Sequence, residues 1–228
     1  MLDQLDQIKF AENAEARCPC VLVVDVSDSM NGEPIAELNK GLRTFKAGVL
    51  QDPLASKRVE IAIVTFGSTA SVVSPFTTAD EFAPPQLRAS GLTAMGQGIV
   101  TALDLVAQEK AKYRSAGIAY YRPWVFLITD GQPTDSVVEA TRRVHEEDNS
   151  EKKGVSFFAV GVQGANMEKL RSIVTREPVK LAGLNFEEMF LWLSSSLQRN
   201  SSARPANPSQ PLNEVQVPLQ PLGWTTTG

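Results

Sequence analysis

Short, almost wholly apolar runs alternate along this chain with longer stretches in which apolar residues recur every three or four positions. The runs cover 21–26, 59–67, 123–131 and 154–162, and each reads as a strand buried on both faces. Ile35, Leu38, Leu42, Phe45 and Val49 mark one face of a helix over 34–52, with Pro34 in its first turn. Ile99, Leu103 and Val106 do the same over 95–113. Residues 135–148 predict a helix opened by polar residues, 166–174 a short helix, and 178–183 a short last strand. A closing helix over 185–199 turns Phe186, Met189, Phe190, Leu193 and Leu197 inward, and Asn185 and Glu188 have capping-box spacing. The run at 69–77 follows 59–67 after only Gly67-Ser68. So short a link implies an antiparallel neighbour. The whole pattern predicts an α/β domain in three layers, a mostly parallel central sheet with one antiparallel edge strand and helices on both faces.

Composition sets the limits of that domain. The chain has 228 residues, 43% of them hydrophobic, enough for one sizeable core. After about Arg199 the pattern gives way to Pro, Ser, Asn and Gln. We therefore expect an N-terminal extension at 1–16, a domain at 17–199 and a Pro-rich tail at 200–228. Such a tail buries too little apolar surface to offset its ordering entropy. Its segment VQVPLQPLGW, ending at Trp224, gives it a second reading, as a docking peptide.

A net charge of −4 argues against a nucleic-acid footprint and offers no polybasic membrane patch. No apolar run approaches the ~20 residues of a spanning helix. Residues 1–17 are polar and acidic early, without the basic start and apolar core of a signal peptide. These features predict a cytoplasmic protein. Two cysteines, Cys18 and Cys20, exclude a disulfide framework. They share one strand face, and the only histidine, His145, is remote in sequence. They read as small residues at the start of a buried strand.

The first strand ends abruptly in polar residues. Asp25-x-Ser27-x-Ser29 follows it directly, Thr93 precedes the helix that starts near Met95, and Asp130 ends the third buried run. In open α/β sheets, ligands bind beyond the carboxyl ends of the strands, where strand order reverses. All five residues offer oxygen, and none offers sulfur or imidazole. Oxygen-only sites select hard cations, Mg²⁺ foremost, with Mn²⁺ or Ca²⁺ as alternatives.

This set resembles the von Willebrand factor A (VWA) domain and its metal-ion-dependent adhesion site. The resemblance covers residues 17–199 in the expected order. DVSDSMNGEPIAELNKGL (25–42), IVTFGSTASVVSPFT (63–77) and LTAMGQGI (92–99) are most similar to the bacterial TerY-like branch, associated with tellurite resistance. That branch usually has Gly where this chain has Asp28. The resemblance implies that Ser27 and Ser29 ligate a metal directly, Thr93 directly or through water, and Asp25 and Asp130 mostly through waters and hydrogen bonds. It implies a non-enzymatic module that captures a Glu or Asp of a partner protein through the cation. It further implies a bacterial stress-response or phage-defence setting with a protein kinase and a PP2C-type phosphatase as partners. In that setting Thr225, Thr226 and Thr227 are candidate phosphoacceptors, each phosphate adding about −1.5 to −2 charge.

Three enzymatic readings compete. Gly91 and Gly96 have P-loop spacing, but Gln97 and Gly98 replace the phosphate-binding Lys and Ser/Thr. A haloacid-dehalogenase-type, Mg-dependent phosphatase also places Asp after the first strand. It needs a second Asp two residues on, where this chain has Ser27, and an ordinary hydroxyl cannot replace that acid. A Ser-His-Asp hydrolase has only His145, set in the charged stretch RRVHEED.

Overall fold

The apolar runs become the middle of one sheet. The computed structural model describes residues 4–130, 132–149, 154–202 and 225–226. In chain order the elements are α1 (Gln4–Glu12), β1 (Cys18–Asp25), α2 (Glu33–Val49), α3 (Pro53–Arg58), β2 (Val59–Phe66), β3 (Ala70–Thr78) and α4 (Met95–Ala116). There follow β4 (Trp124–Thr129), α5 (Val138–Glu147), β5 (Ser156–Gly161), α6 (Met167–Ile173), β6 (Val179–Leu181), α7 (Phe186–Ser202) and β7 (Thr225–Thr226). The sheet runs β3-β2-β1-β4-β5-β6-β7. All its pairs are parallel except β2–β3, the expected antiparallel edge, and β6–β7 at the other edge.

The α/β architecture expected from the pattern is present, with a core on each side of the sheet. Along β1, Cys18, Cys20, Leu22 and Val24 join a core closed by α2, α3 and α7. Val21 and Val23 join the opposite core, closed by α4, α5 and α6. A strand covered on both faces must be apolar at odd and even positions alike, which is why β1 shows no alternation. Helices α2 and α7 meet closely through glycine: a Cβ on Gly48 would lie 2.4 Å from Ser194 Oγ.

Two helices were not anticipated. Helix α3 has a clear local cause: Pro53 occupies its first turn, and the Asp52 carboxylate accepts from Leu54 N (2.8 Å) and Ala55 N (3.1 Å). Helix α1 lies in the stretch read as an extension. Its Phe10 is buried edge-on against Tyr113 of α4 at 6.0 Å. Of the tail, Thr225 and Thr226 pair with Leu181 and Lys180. Thr227, Trp224 and the VQVPLQPLGW segment lie outside the described residues.

At the amino ends of β1 and β2, α1 helps to close a buried charge network. Glu60 is fully buried and accepts from Arg17 Nε (3.2 Å), Lys9 Nζ (2.9 Å) and the Tyr113 hydroxyl. Glu109 lies beside it, also buried. Burial and then the Glu60 charge push its carboxyl above the usual range, and Lys112 at 3.4 Å offsets only part of this. The folded protein therefore holds a disfavoured charge at neutral pH. Glu109→Gln should raise the thermal midpoint near pH 7. The gain should vanish as pH falls through the raised pKa, because the wild-type carboxyl is then protonated. Thermal scans of both proteins between about pH 4 and pH 8 check this. A variant no more stable than wild type near neutrality would refute it.

Candidate metal centre

The chain leaves β1 for β2 on one side and enters β4 on the other, so strand order reverses between β1 and β4. Polar residues from both strand ends meet at that switch point. Val24 pairs with Ile128, which places Asp25 next to Thr129. Asp25 is fully buried. Its Oδ1 accepts from Ser27 N (2.9 Å) and its Oδ2 from Thr129 Oγ1 (2.5 Å). Ser27 is extended, and a 3₁₀ turn over Asp28–Met30 follows at once. This reversal lets two serines of one loop approach each other: Ser27 Oγ lies 2.9 Å from Ser29 Oγ. Ser29 Oγ donates to Asp130 Oδ1 at 2.7 Å. A hydroxyl has one hydrogen, so the Ser27 hydroxyl is the donor to Ser29. Asp25, Ser27, Ser29 and Asp130 thus form one hydrogen-bonded chain across the switch point.

Thr93 comes from the adjoining loop and is buried. Its N–H donates to Thr134 Oγ1 (3.0 Å), and its carbonyl accepts from Thr134 N (2.9 Å). The same loop is tied to the β1 end, where Ser90 N donates to Val26 O (2.7 Å). The loop that carries Thr93 is thus tied by its backbone to the end of β1 on one side and to Thr134 on the other.

A family profile described as the von Willebrand factor type A domain matches residues 20–189. The chain belongs to the VWA family. Chicken (Gallus gallus) matrilin-3 is 27% identical over 169 residues, covering 70% of this chain and 34% of matrilin-3. Mouse (Mus musculus) collagen alpha-5(VI) chain is 24% identical over 195 residues, covering 82% of this chain and 7% of that one. The chain thus spans about a third or less of the curated relatives it matches. Among solved structures, the VWA protein of Catenulispora acidiphila superposes with a TM-score of 0.61 at 17% identity, covering 80% of this chain and 43% of that one. The open pilus adhesin SpaC of Lactobacillus rhamnosus GG gives 0.63 at 15%, covering 82% and 31%. Mussel byssus proximal thread matrix protein 1, whose structure has a zinc-occupied MIDAS motif, gives 0.52 at 21%, covering 83% and 47%. At these identities the three share the fold with this chain.

The mussel protein's structure has a zinc-occupied MIDAS motif, and the donor set of this chain is of a kind that suits a divalent cation. Burial raises the Asp25 carboxyl above its ordinary range, its hydrogen bonds from Ser27 and Thr129 lower it, and the Asp130 charge raises it further. Burial raises Asp130 too, against the hydrogen bond from Ser29. Among the described residues, no lysine or arginine is paired with either carboxylate. Two carboxylates disfavoured by burial beside two hydroxyls, with no basic partner among the described residues, form an environment that a cation relieves. All the donors are hard oxygens, as Mg²⁺ requires. A cavity of about 1000 Å³ opens at the opposite pole, lined in part by Lys9, Glu12, Arg58, Glu109 and Lys112.

The structure adds residues that the motif did not name. Thr129 shares the Asp25 carboxylate, and the ITD run in which it sits was the available signal. The pattern over 135–148 predicts that Asp135 belongs to the polar opening of a helix. Asp135 instead accepts from Gly96 N (3.0 Å) and Gln97 N (2.8 Å), capping α4, while α5 starts at Val138 without a side-chain cap. A carboxylate thus occupies the helix N-terminus where a P-loop would hold phosphate. The phosphatase reading also meets an obstacle: both Asp25 oxygens accept hydrogen bonds in a fully buried setting, with none presented as a nucleophile.

Proposed function

We propose that this VWA domain captures partner proteins through a divalent cation held by Ser27, Ser29 and Thr93, with Asp25 and Asp130 acting through waters and hydrogen bonds. The observation that carries this reading is the continuous Asp25–Ser27–Ser29–Asp130 chain, with contacts of 2.9, 2.9 and 2.7 Å, at the sheet's switch point. Direct ligation by neutral hydroxyls would leave the bound cation strongly electrophilic, so its open position favours a partner's Glu or Asp. Mg²⁺ fits the all-oxygen donors best, with Mn²⁺ and Ca²⁺ as alternatives. The role is binding, not catalysis.

Domain captured on beads should retain its partner in Mg²⁺ and release it in EDTA. Asp25→Ala and Ser27→Ala should fail to retain it while keeping a native circular dichroism spectrum. Retention unaffected by EDTA and by both substitutions would sink the reading.

The narrower setting rests on the sequence resemblance alone. We place the module at 17–199, in a cytoplasmic, TerY-like bacterial system with a kinase or PP2C-type phosphatase as partner. Two features are compatible with it. Cys18 and Cys20 are free and buried, and among the described residues no helix is long and apolar enough to cross a membrane. Thr225, Thr226 and Thr227 are its candidate phosphoacceptors. Thr225 and Thr226 would have to leave the β6 edge to enter a kinase cleft in extended form.

A further inference from the structure

Asp28 sits between the two serines of the site and bonds across to another loop. Its N–H donates to Gly91 O at 3.0 Å, and its Oδ1 accepts from Gly91 N at 3.0 Å. Gly91 has φ +83°, a conformation that favours glycine, and a Cβ there would lie 2.3 Å from Ser68 Oγ. The next residue, Leu92, donates its N–H to that same Ser68 Oγ at 3.1 Å. The loop leading to Thr93 therefore runs in a slot between Asp28 and Ser68, two residues short of the hydroxyl it delivers. On its far side, Thr134 holds the Thr93 backbone through the reciprocal pair described above.

We propose that Asp28 is a positioning residue whose carboxylate clasps the Gly91 amide and fixes the reach of Thr93 relative to Ser27 and Ser29, setting the cation affinity of the site. This rests on the metal-centre reading above. Ser27 and Ser29 come from one loop and Thr93 from another, so no local covalent link sets their separation. Mg²⁺ tolerates little departure from octahedral geometry, so a donor set left to find its own spacing binds it weakly. A clasp formed on folding removes that ordering cost from the binding step. Asp28 is exposed and outside both cores, so its role can be tested without damaging the fold. Charge and clasp are separable, because Asn keeps an acceptor oxygen but carries no charge.

The test is calorimetric titration of Mg²⁺ and Mn²⁺ into wild type, Asp28→Ala, Asp28→Asn and Ser29→Ala, with amide exchange at Gly91 measured in EDTA. Asp28→Ala should bind about 10-fold more weakly, the size expected for a lost second layer of ligand support. It should also exchange the Gly91 amide faster, and its cation-free thermal midpoint should stay near wild type. Asp28→Asn should remain close to wild type in both affinity and exchange. Wild-type affinity in Asp28→Ala would overturn the clasp. So would Asp28→Asn as weak as Asp28→Ala, which would assign the effect to charge. A wild type that binds neither ion would overturn the metal-centre reading and the clasp together. A wild type that binds, with Ser29→Ala impaired and Asp28→Ala unaffected, would overturn the clasp alone.

Discussion

Asp25→Asn should abolish stabilisation by divalent cations without lowering the stability of the cation-free protein. A ligand that binds only the folded state at 100 times its Kd adds about 2.7 kcal/mol. For a domain of this size, that is a rise of roughly 5–10 °C in Tm. Wild type should show that rise in Mg²⁺ and lose it in EDTA, whereas the variant should show none. The fold should tolerate the change because Asn has the same shape. Its Oδ1 can accept from Ser27 N, and its amide can donate to Thr129 Oγ1, the two groups that Asp25 now engages. It also removes a charge that burial disfavours, as the raised carboxyl of Asp25 indicates. The cation-free variant should therefore melt at or above wild type. Differential scanning calorimetry in Mg²⁺ and in EDTA reads both halves. A variant that responds to Mg²⁺ like wild type would remove Asp25 from the site. A variant that melts well below wild type in EDTA would make it a structural residue.

The contrast between Asp25 and its surroundings also explains what was legible in the sequence. The strands could be read because a sheet covered on both faces demands uninterrupted apolar runs, and β1, β2, β4 and β5 are each buried along their whole length. The polar residues ending β1 and β4 stood out against those runs. Asp28 and Asp135 were harder to place. Each uses its carboxylate to hold backbone N–H groups of a loop or helix far along the chain, at Gly91 and at Gly96 and Gln97. No spacing rule encodes such a partner, since it depends on which loops the topology brings together. Helix α1 escaped for a related reason. Phe10 and Lys9 make sense only against Tyr113 and Glu60, and the intrinsic amphipathic signal of so short a segment is weak.

Glu60→Ala should be the most damaging single substitution at the far pole, costing about 3–5 kcal/mol. Glu60 and Arg17 are both fully buried, so deleting the carboxylate leaves a guanidinium without its counter-charge inside the protein. The remaining Arg17 contacts, to the carbonyls of Asn13 and Glu15, satisfy hydrogens without neutralising charge. Lys9 and the Tyr113 hydroxyl lose the same partner. A domain is typically stable by only about 5–15 kcal/mol, so a loss of this size shifts the urea midpoint plainly. The exposed pairs of Arg142 with Glu139 and Glu146 are shorter, at 2.6 Å, yet solvent screens them, and Arg142→Ala should barely move that midpoint. Alkali should lower the stability of the fold too. Burial and then the Glu60 charge raise the Tyr113 hydroxyl well above its ordinary value of 10.0. An unfolded tyrosine ionises above that pH while the folded one stays protonated, so stability should fall as pH rises past it. Replacing both charges together separates stabilisation from mere compatibility. If Arg17→Met with Glu60→Leu regains most of what Glu60→Ala loses, the network's role is to avoid an orphaned charge, as the physics of buried ion pairs expects. If the double variant is as unstable as Glu60→Ala, then the ion pair itself, with its hydrogen bonds to α1 and α4, holds this pole closed. Urea denaturation of the three proteins decides between them, and a Glu60→Ala midpoint equal to wild type would refute both.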